Sequence, residues 1–256
     1  MENIVITGSI VLYKENLAYL HKTVDSFLNI PLPNKKLFLI DNTSDKFYQY
    51  VLVEKNIEYI PVEDNIGFGS AHNRVIYRIN RKSDYHLILN PDVSFKPKVI
   101  PKLIYELNKK DNVCVIAPKV LFPNEKHQYS CRRYPSISEL IARRFNFLAP
   151  LFKKTIQKGQ YQDKDLTKPF FPEYITGCFH LYKTEDFVNL GGFDERYFLY
   201  MEDIDICKKI DKIGKKKLYY PQEEIIHVLK QGSSKSLKLF FRHTSSAIKY
   251  FLKWGF

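Results

Sequence analysis

Carboxylates in three short polar segments are the residues of this chain best suited to chemistry. Asp41 follows an apolar run at 36–40, and Asp92 lies in Asn90-Pro91-Asp92-Val93, directly after a second apolar run. The third segment, Glu202-Asp203-Ile204-Asp205, comes between an aromatic run and an amphipathic stretch. Carboxylates can hold a divalent cation against phosphate oxygens or remove a proton from a hydroxyl group.

Each of these carboxylates also has a purely structural interpretation. A single aspartate after a strand, such as Asp41 or Asp92, more often caps a turn or a helix. Glu202 and Asp203 fit the first turn of a helix, where the helix dipole favours acidic side chains. Two adjacent carboxylates beside large apolar side chains are also the arrangement that raises the pKa of a general base. The sequence around these residues leaves both interpretations open.

A glycine-containing segment, Asn65-Ile66-Gly67-Phe68-Gly69, precedes a predicted helix. Glycines let the backbone approach a ligand closely, and the amides at the start of a helix can face an anion. The segment differs from the GxGxxG pattern of dinucleotide-binding folds and follows the third predicted strand, so it argues against a NAD enzyme. Turns of this composition without a ligand are common as well.

Alternating strands and helices are predicted to position these segments. Apolar runs predict strands at 4–13, 36–40, 57–62, 85–89, 113–116 and 217–220, and a regular pattern returns at 174–182. Apolar periodicity predicts helices at 17–28, 70–79 and 99–107 and one that ends near 213, while 124–172 reads as an inserted loop region. This order predicts a Rossmann-like α/β fold with a mostly parallel central sheet and helices on both faces. Ligands bind at the carboxyl ends of such strands, where the polar segments should converge.

Charge and cysteine content narrow the function classes. The 256 residues carry a formal charge of +12, which indicates an anionic partner: nucleic acid, an acidic membrane surface or a phosphorylated substrate. The many aromatic residues could stack on single-stranded nucleic acid, but no nucleic-acid-binding motif accompanies them. Cys114, Cys131, Cys178 and Cys207 form no CxxC pair, so we expect reduced, buried thiols and neither a zinc site nor disulfides.

The N-terminus predicts a cytoplasmic protein. It lacks the basic region and apolar stretch of a signal peptide, and no uncharged apolar run is long enough to span a membrane. The end of the chain, 236–256, is predicted to be an amphipathic tail in which Phe241, Ile248 and Leu252 share one stripe beside basic residues. This tail either packs on the preceding domain or lies on an anionic membrane surface.

The order and spacing of these segments resemble the inverting GT-A-fold glycosyltransferases of family 2, particularly their rhamnosyltransferase-like branch. The similarity covers residues 4–235 and includes the three acidic segments, the Asn65–Gly69 segment, Gly191-Gly192-Phe193-Asp194-Glu195, and His227 before Gly232-Ser233-Ser234. Arg132-Arg133-Tyr134-Pro135 resembles the acceptor-side loop of that branch, and 242–255 resembles its C-terminal tail. One departure is Asn90, which stands where the family's metal motif usually has its first aspartate.

The resemblance implies roles for named residues. Asp203 would be the catalytic base with Glu202 as its neighbour, and Asp92 and His227 would be ligands of Mg²⁺ or Mn²⁺. The acceptor side would include Arg132, Arg133, Gly177 and Cys178. The nucleotide-sugar site would include Val11, Tyr13, Asp41, Asn42, Asn65, Gly67, Phe68, Gly69, Asn73, Asn90 and Asp92.

The resemblance also implies a substrate class and a domain organisation. The donor would be dTDP-L-rhamnose, with UDP-galactose or another UDP-hexose as the alternative, and the acceptor a saccharide or lipid-linked saccharide of bacterial surface polysaccharide synthesis. Residues 1–235 would form the catalytic domain, with a nucleotide-sugar half at 1–98 and an acceptor half at 99–235. The protein would work at the inner face of the cell membrane, and relatives make a homodimer an open option. A non-catalytic polyanion-binding protein and a phosphorylase or nucleotidyltransferase are the rival interpretations.

Overall fold

The computed structural model describes residues 3–50, 54–144, 151–229 and 237–255. The segment Gly232-Ser233-Ser234 of the resemblance therefore lies outside the described residues. The strands are β1 Val5–Leu12, β2 Asn34–Asp41, β3 Ile57–Pro61, β4 Tyr85–Leu89, β5 Val93–Phe95, β6 Val113–Leu121, β7 Cys131–Arg132, β8 Tyr174–Ile175, β9 Phe179–Lys183 and β10 Lys216–His227.

Nine α-helices occur in the described part of the chain. They are α1 Leu17–Leu28, α2 Phe68–Asn73, α3 Ile76–Ile79, α4 Val99–Asn108, α5 Ile137–Arg144, α6 Lys153–Gly159, α7 Thr184–Asn189, α8 Glu202–Lys212 and α9 Leu237–Trp254, and a 3₁₀ helix covers Phe47–Tyr50. Local signals set several of these bounds. Helix α1, for example, begins after Asn16, whose side chain accepts a hydrogen bond from the Tyr19 amide at 3.2 Å.

An eight-stranded sheet in the order β3-β2-β1-β4-β9-β6-β10-β5 forms the centre of the molecule. Strands β3, β2, β1 and β4 are parallel, and β10 is parallel to β6. Strand β9 is antiparallel to both of its neighbours, and β5 is antiparallel to β10. The chain order reverses beside β1, and an open α/β sheet binds its ligands at such a point.

The mixed α/β architecture confirms the fold predicted from the sequence, with differences in individual elements. The regular stretch at 174–182 contains two strands: β8 pairs with β7 outside the main sheet, and β9 belongs to the main sheet. The predicted helix at 70–79 is divided into α2 and α3, and β10 continues to His227. Helices α5 and α6 lie within the predicted loop region. The four cysteines are buried and free, as predicted.

Helix α9 packs on the domain with one face and exposes another. Tyr250 and Phe251 are buried, and the Ser246 hydroxyl donates a hydrogen bond to the Leu199 carbonyl at 2.9 Å. The exposed face carries four apolar side chains that are 57–77% exposed, and we call them the outer stripe: Leu237, Phe241, Ile248 and Leu252. The helix therefore packs on the domain and still leaves an apolar face that could lie on an anionic membrane surface. None of the described helices is long and apolar enough to cross a membrane.

Candidate active site

A cavity of about 370 Å³ lies at the carboxyl ends of the parallel strands. It receives side chains from the ends of β1, β2 and β4, from the turn before α2, from the end of β10 and from α9. The lining residues are Val11, Tyr13, Glu15, Asn42, Asn65, Gly67, Phe68, Asn90, Pro91, Asp92, Phe198, Leu199, Tyr200, His227, Leu229, Leu239 and Arg242. Eight of the eleven residues proposed from the sequence for the nucleotide sugar thus lie around one space, and His227 joins them.

The turn before α2 forms one wall of the cavity, and it requires glycine at position 67. Gly67 has a φ of +91°, and a Cβ atom there would lie 2.2 Å from the Phe198 carbonyl oxygen. The Phe68 amide donates to that same carbonyl at 3.0 Å, while the Asn42 side chain donates to the Gly67 carbonyl at 3.1 Å. These contacts join the end of β2, the turn and the 198–200 segment into one wall.

The remaining three residues of the proposed nucleotide-sugar set, Asp41, Gly69 and Asn73, are not among the described residues that line the cavity. The Asp41 side chain is buried and accepts hydrogen bonds from the hydroxyls of Thr43 and Tyr59, both at 2.6 Å. Such contacts hold the end of β2 in place beneath the cavity. For this residue, the turn-capping interpretation describes the contacts in the structure.

Gly69 and Asn73 join α2 to the segment that precedes α8. A Cβ atom at Gly69 would lie 2.7 Å from the Phe193 side chain. The Asn73 side chain donates to the Phe193 carbonyl and accepts from the Phe193 amide, both at 2.9 Å. Gly192 has a φ of +63° and leaves no room for a Cβ beside Asn73. Gly69 and Asn73 therefore pack α2, which follows the cavity wall, against the Phe193 segment.

Asp92 and His227 meet at the cavity although 135 positions separate them in the sequence. His227 Nε2 lies 3.2 Å from Asp92 Oδ1, and the Asn90 amide nitrogen lies 3.3 Å from Nε2. Gln128 contacts His227 twice: its side-chain oxygen lies 2.6 Å from Nδ1, and its amide donates to the His227 carbonyl at 3.0 Å. Gln128 therefore fixes the imidazole so that Nε2 faces Asp92 and the cavity.

The Asp92–His227 pair fits a divalent cation that is shared with a substrate. One carboxylate and one imidazole suit Mn²⁺ or Mg²⁺ only if other oxygens complete the shell, and the described residues contain no group of three or more metal-ligating side chains. Burial lowers the pKa of His227, but the adjacent Cys178 thiol and Asp92 carboxylate outweigh it and raise the pKa to about 10. A cation bound there would displace this proton.

Glu202 and Asp203 begin α8 after two consecutive residues in the left-handed conformation. Tyr200 and Met201 have φ values of +68° and +71°, which reverses the chain directly before the carboxylates. Such backbone conformations are unfavourable for residues other than glycine and are concentrated at functional sites. The Gly177 amide donates to Asp203 Oδ2 at 3.1 Å, so the turn between β8 and β9 holds this carboxylate.

The two adjacent carboxyl groups are both buried, but they differ in proton affinity because their hydrogen bonds differ. Burial and the neighbouring Asp203 charge raise the pKa of Glu202 well above its ordinary value, and one of its buried oxygens has no hydrogen-bond partner within the described part of the chain. Burial also raises the pKa of Asp203, but the Gly177 and Ile204 amides and the Arg132 charge oppose that effect. The pair therefore holds a proton preferentially on Glu202, and the charged form is favoured on Asp203.

Asp203 lies next to the cavity wall rather than on the cavity lining. A Cβ atom at Gly177 would lie 3.5 Å both from the Asp203 Cβ and from the Phe68 ring. Gly177 therefore lies between the Asp203 side chain and the Phe68 ring of the cavity wall. The Cys178 carbonyl accepts a hydrogen bond from the backbone amide of Asn90 at 3.0 Å, which connects the same turn to the Asp92 segment.

The two arginines proposed for the acceptor side differ in their contacts. Arg132 donates to the Tyr129 carbonyl at 3.1 Å and acts electrostatically on Asp203. Arg133 makes a bidentate pair with Asp163 at 2.8 and 2.9 Å and lies over the Tyr161 ring at 4.2 Å. Arg133 thus fastens the inserted region, whereas Arg132 lies closer to the carboxylate pair.

Several side chains at or near the site are positioned by contacts between segments that lie far apart in the sequence. Gln128 lies in a stretch without a motif, and its role depends on a contact with a residue 99 positions away. Asp205, two residues after Asp203, is fully buried and accepts from Lys253 and Trp254 of α9, both at 2.7 Å. Arg242 belongs to the basic residues of the predicted tail, yet it lines the cavity.

A sequence profile of glycosyl transferase family 2 matches residues 9–191, and this match decides the family. The chain belongs to glycosyl transferase family 2. It is 27% identical over 203 residues to the N-acetylglucosaminyl-diphospho-decaprenol L-rhamnosyltransferase of Mycobacterium tuberculosis H37Rv, covering 75% of this chain and 66% of that protein. It is 29% identical over 193 residues to the rhamnosyltransferase WbbL of Escherichia coli K12, covering 72% and 69%. The chain thus spans about two thirds of the length of these curated relatives.

Solved structures confirm the GT-A glycosyltransferase fold of this family 2 chain. A GalNAc-T7 structure with UDP, GalNAc and Mn²⁺ has a TM-score of 0.63 at 17% identity, covering 89% of this chain and 43% of that one. The mannosyltransferase PcManGT of Pyrobaculum calidifontis, solved with GDP-Man and Mn²⁺, has a TM-score of 0.61 at 12% identity, covering 97% and 63%. At these identities the likeness concerns the fold alone.

Proposed function

We propose that this family 2 chain transfers L-rhamnose from dTDP-L-rhamnose to a saccharide or lipid-linked saccharide, with inversion at the anomeric carbon. The observation that carries the proposal is the cavity in which Asp92 and His227 converge beside the Gly177-held Asp203. The two rhamnosyltransferases among the relatives support the choice of donor sugar.

The proposed reaction is a single displacement. Asp203 removes the proton of an acceptor hydroxyl, the hydroxyl oxygen forms a bond to the anomeric carbon, and the bond from that carbon to the diphosphate oxygen breaks. A divalent cation held by Asp92 and His227 would supply charge neutralisation for the diphosphate. Glu202 keeps its proton and lies beside the base, which prevents two adjacent buried carboxylates from ionising together.

The nucleotide is proposed to lie against the ends of β1 and β2. Val11, Tyr13 and Asn42 line that side of the cavity, while Asn65, Gly67 and Phe68 bring backbone close to the ligand. In this proposal Asp41 acts indirectly, because its carboxylate is engaged by Thr43 and Tyr59. Gly69 and Asn73 likewise act by holding the wall formed by Phe68 and Phe198.

A membrane-bound acceptor is the second part of the proposal. The outer stripe presents four large apolar side chains on the same helix that reaches the cavity, and the chain carries a charge of +12. A helix with an apolar outer face on a basic protein binds at the surface of anionic bilayers. The name of the mycobacterial relative includes a diphospho-decaprenol lipid, which agrees with an acceptor presented at a membrane.

The donor is tested by incubating the purified chain with dTDP-L-rhamnose, UDP-galactose, UDP-glucose and UDP-N-acetylglucosamine and measuring nucleoside diphosphate release with Mn²⁺, with Mg²⁺ and in excess EDTA. We expect slow hydrolysis of dTDP-L-rhamnose that needs the metal. Hydrolysis of a UDP-hexose alone would replace the proposed donor. Binding of none of them, together with salt-sensitive retention of nucleic acid, would favour the non-catalytic polyanion-binding protein.

A further inference from the structure

Helix α9, near the C-terminal end of the given sequence, contributes an arginine side chain to the cavity lining. Arg242 and Leu239 line the cavity together with Asn90, Asp92 and His227. The Arg242 guanidinium carbon lies 3.7 Å from the centre of the Phe198 ring, so the side chain is stacked on the same wall that contacts Gly67 and Phe68. A stacked guanidinium keeps its N–H donors available at the ring edge.

The docking of α9 on the domain fixes this arginine in place. Near the end of the helix, Lys253 and Trp254 donate to the fully buried Asp205, and Lys253 also pairs with Asp194 at 2.8 Å. In the middle, Ser246 donates to the Leu199 carbonyl, one residue after the Phe198 on which Arg242 stacks. The helix is therefore attached at both the cavity wall and the base of α8.

Arg242 gives the cavity lining a positive charge that a bound diphosphate would require. Of the described residues that line it, only Arg242 carries a guanidinium or ammonium group, while Glu15 and Asp92 are acidic. A departing nucleoside diphosphate accumulates negative charge, and the Asp92–His227 pair offers only two ligands to a metal. Guanidinium groups bind phosphate oxygens through two parallel hydrogen bonds.

We propose that Arg242 binds the diphosphate of the nucleotide sugar, so that the C-terminal helix is a component of the donor site. This inference rests on the proposed function, because it requires a nucleoside diphosphate in the cavity. It assigns to α9 a role in catalysis separate from any contact of the outer stripe with a membrane.

The test compares diphosphate binding by the full chain and three variants. Dissociation constants for dTDP and for thymidine are measured for wild type, Arg242→Gln, Arg242→Lys and Lys249→Gln. Lys249 is the matched control, since it lies on the same helix and donates to the Arg196 carbonyl outside the cavity. Melting temperature is recorded for each variant to show that the helix remains docked.

We expect Arg242→Gln to weaken dTDP binding at least tenfold and thymidine binding less than twofold, because only the diphosphate contact is lost. Arg242→Lys should fall between wild type and Arg242→Gln, and Lys249→Gln should match wild type. Wild-type dTDP affinity in Arg242→Gln, or equal loss for dTDP and thymidine, would overturn the inference. Failure of the wild-type chain to bind any nucleoside diphosphate would instead refute the proposed function on which it rests.

Discussion

At the scale of single residues, the protonation of the Glu202–Asp203 pair determines what this site can do. Both carboxyl groups are withdrawn from water, and two negative charges at adjacent positions repel each other. The Gly177 amide stabilises the charged form of Asp203, whereas one buried oxygen of Glu202 has no hydrogen-bond partner among the described residues. The arrangement therefore favours the proton on Glu202 and the charge on Asp203, and the two groups titrate as a pair.

Asp203→Asn is expected to abolish sugar transfer while the fold and donor binding persist. The amide keeps the size of the side chain and an oxygen that accepts from Gly177, but it cannot take up a proton at neutral pH. A positioned general base contributes about 10²–10⁴ in rate. Transfer rate, melting temperature and donor affinity are measured for the variant and for Glu202→Gln, which mimics the protonated acid and should be milder.

The outcome separates the catalytic from the structural interpretation of Asp203. Near-wild-type transfer by Asp203→Asn would remove this residue as the base. A fall in melting temperature that accompanies the loss of activity would instead favour a helix-capping role.

At the scale of elements, the turn before α2 depends on a glycine for two separate reasons. The φ of +91° at Gly67 is unfavourable for other residues, and the Phe198 carbonyl occupies the space of a Cβ atom. Gly214, which follows α8, has a φ of +74°, but a Cβ atom there would meet no atom of the described residues within 4 Å. The two glycines therefore share a positive φ but differ in how closely other atoms pack against them.

Gly67→Ala is expected to destabilise the protein more than Gly214→Ala and to reduce donor affinity as well. The backbone conformation costs about 1–3 kcal/mol at either position, and only position 67 adds a steric collision with the cavity wall. Urea unfolding of both variants gives the free energy of unfolding. If Gly67→Ala and Gly214→Ala lose equal stability and donor binding is unchanged, the Phe198 backbone moves to accommodate the methyl group and the wall is not rigid.

The outer stripe of α9 gives a second prediction at this scale. Replacing both Phe241 and Leu252 by serine should greatly reduce binding to vesicles that contain phosphatidylglycerol, because burial of apolar area supplies the binding free energy. The melting temperature should change little, since both side chains are exposed. Ile213→Ser removes an apolar side chain that is 53% exposed at the end of α8 and serves as the control.

The measurement is sedimentation with anionic vesicles and with vesicles of phosphatidylcholine alone. If the double variant and the wild-type protein bind the anionic vesicles equally, the stripe is not a membrane contact. The proposal of a membrane-bound acceptor would then lose its structural support.

At the scale of the whole molecule, a chain of polar side chains passes through the core beside β1. His72 Nδ1 lies 2.8 Å from the Ser9 hydroxyl, which lies 2.9 Å from His86 Nε2, and His86 Nδ1 lies 2.9 Å from the Thr7 hydroxyl. Burial lowers the pKa of His86 from 6.5 to about 3. The folded protein therefore keeps this imidazole neutral at a pH where the unfolded chain protonates it.

The consequence is a loss of stability in acid. Because the folded pKa of His86 is depressed, its contribution is complete above pH 6.5 and declines as the pH falls towards 3, by up to about 1.4 kcal/mol per pH unit. His86→Gln should be less stable than wild type at pH 8 and should lose less stability between pH 6.5 and 4.5. The raised pKa values of Glu202 and Asp203 act in the opposite direction, but they are common to both proteins and cancel in the comparison.

Free energies of unfolding at several pH values check this prediction. His21→Gln makes the same substitution at an exposed histidine and controls for the loss of an imidazole as such. Parallel pH profiles of wild type and His86→Gln would contradict a neutral, buried His86.

The α/β class, most strands and the segments that surround the cavity follow from local features of the sequence. Apolar runs and helical periodicity are local properties, and so are the polar residues that follow the strands, which explains why Asn42, Gly67 and Asp92 could be predicted. The carboxyl ends of parallel strands must lie at one edge of the sheet, so their convergence follows from the predicted strand order.

Which side chains contact one another became visible only in the folded chain. Gln128 and His227 are 99 positions apart, and Arg242 reaches the cavity through a helix whose anchor is Asp205. Asp41 and Asn73 belong to the expected nucleotide-sugar set, and the structure shows which distant residues they contact, Tyr59 and Phe193. Sequence spacing does not encode contacts between distant segments, because these depend on how helices and loops pack on the finished sheet. The preference for charge on Asp203 has the same origin, since the Gly177 amide that donates to this carboxylate comes from another turn.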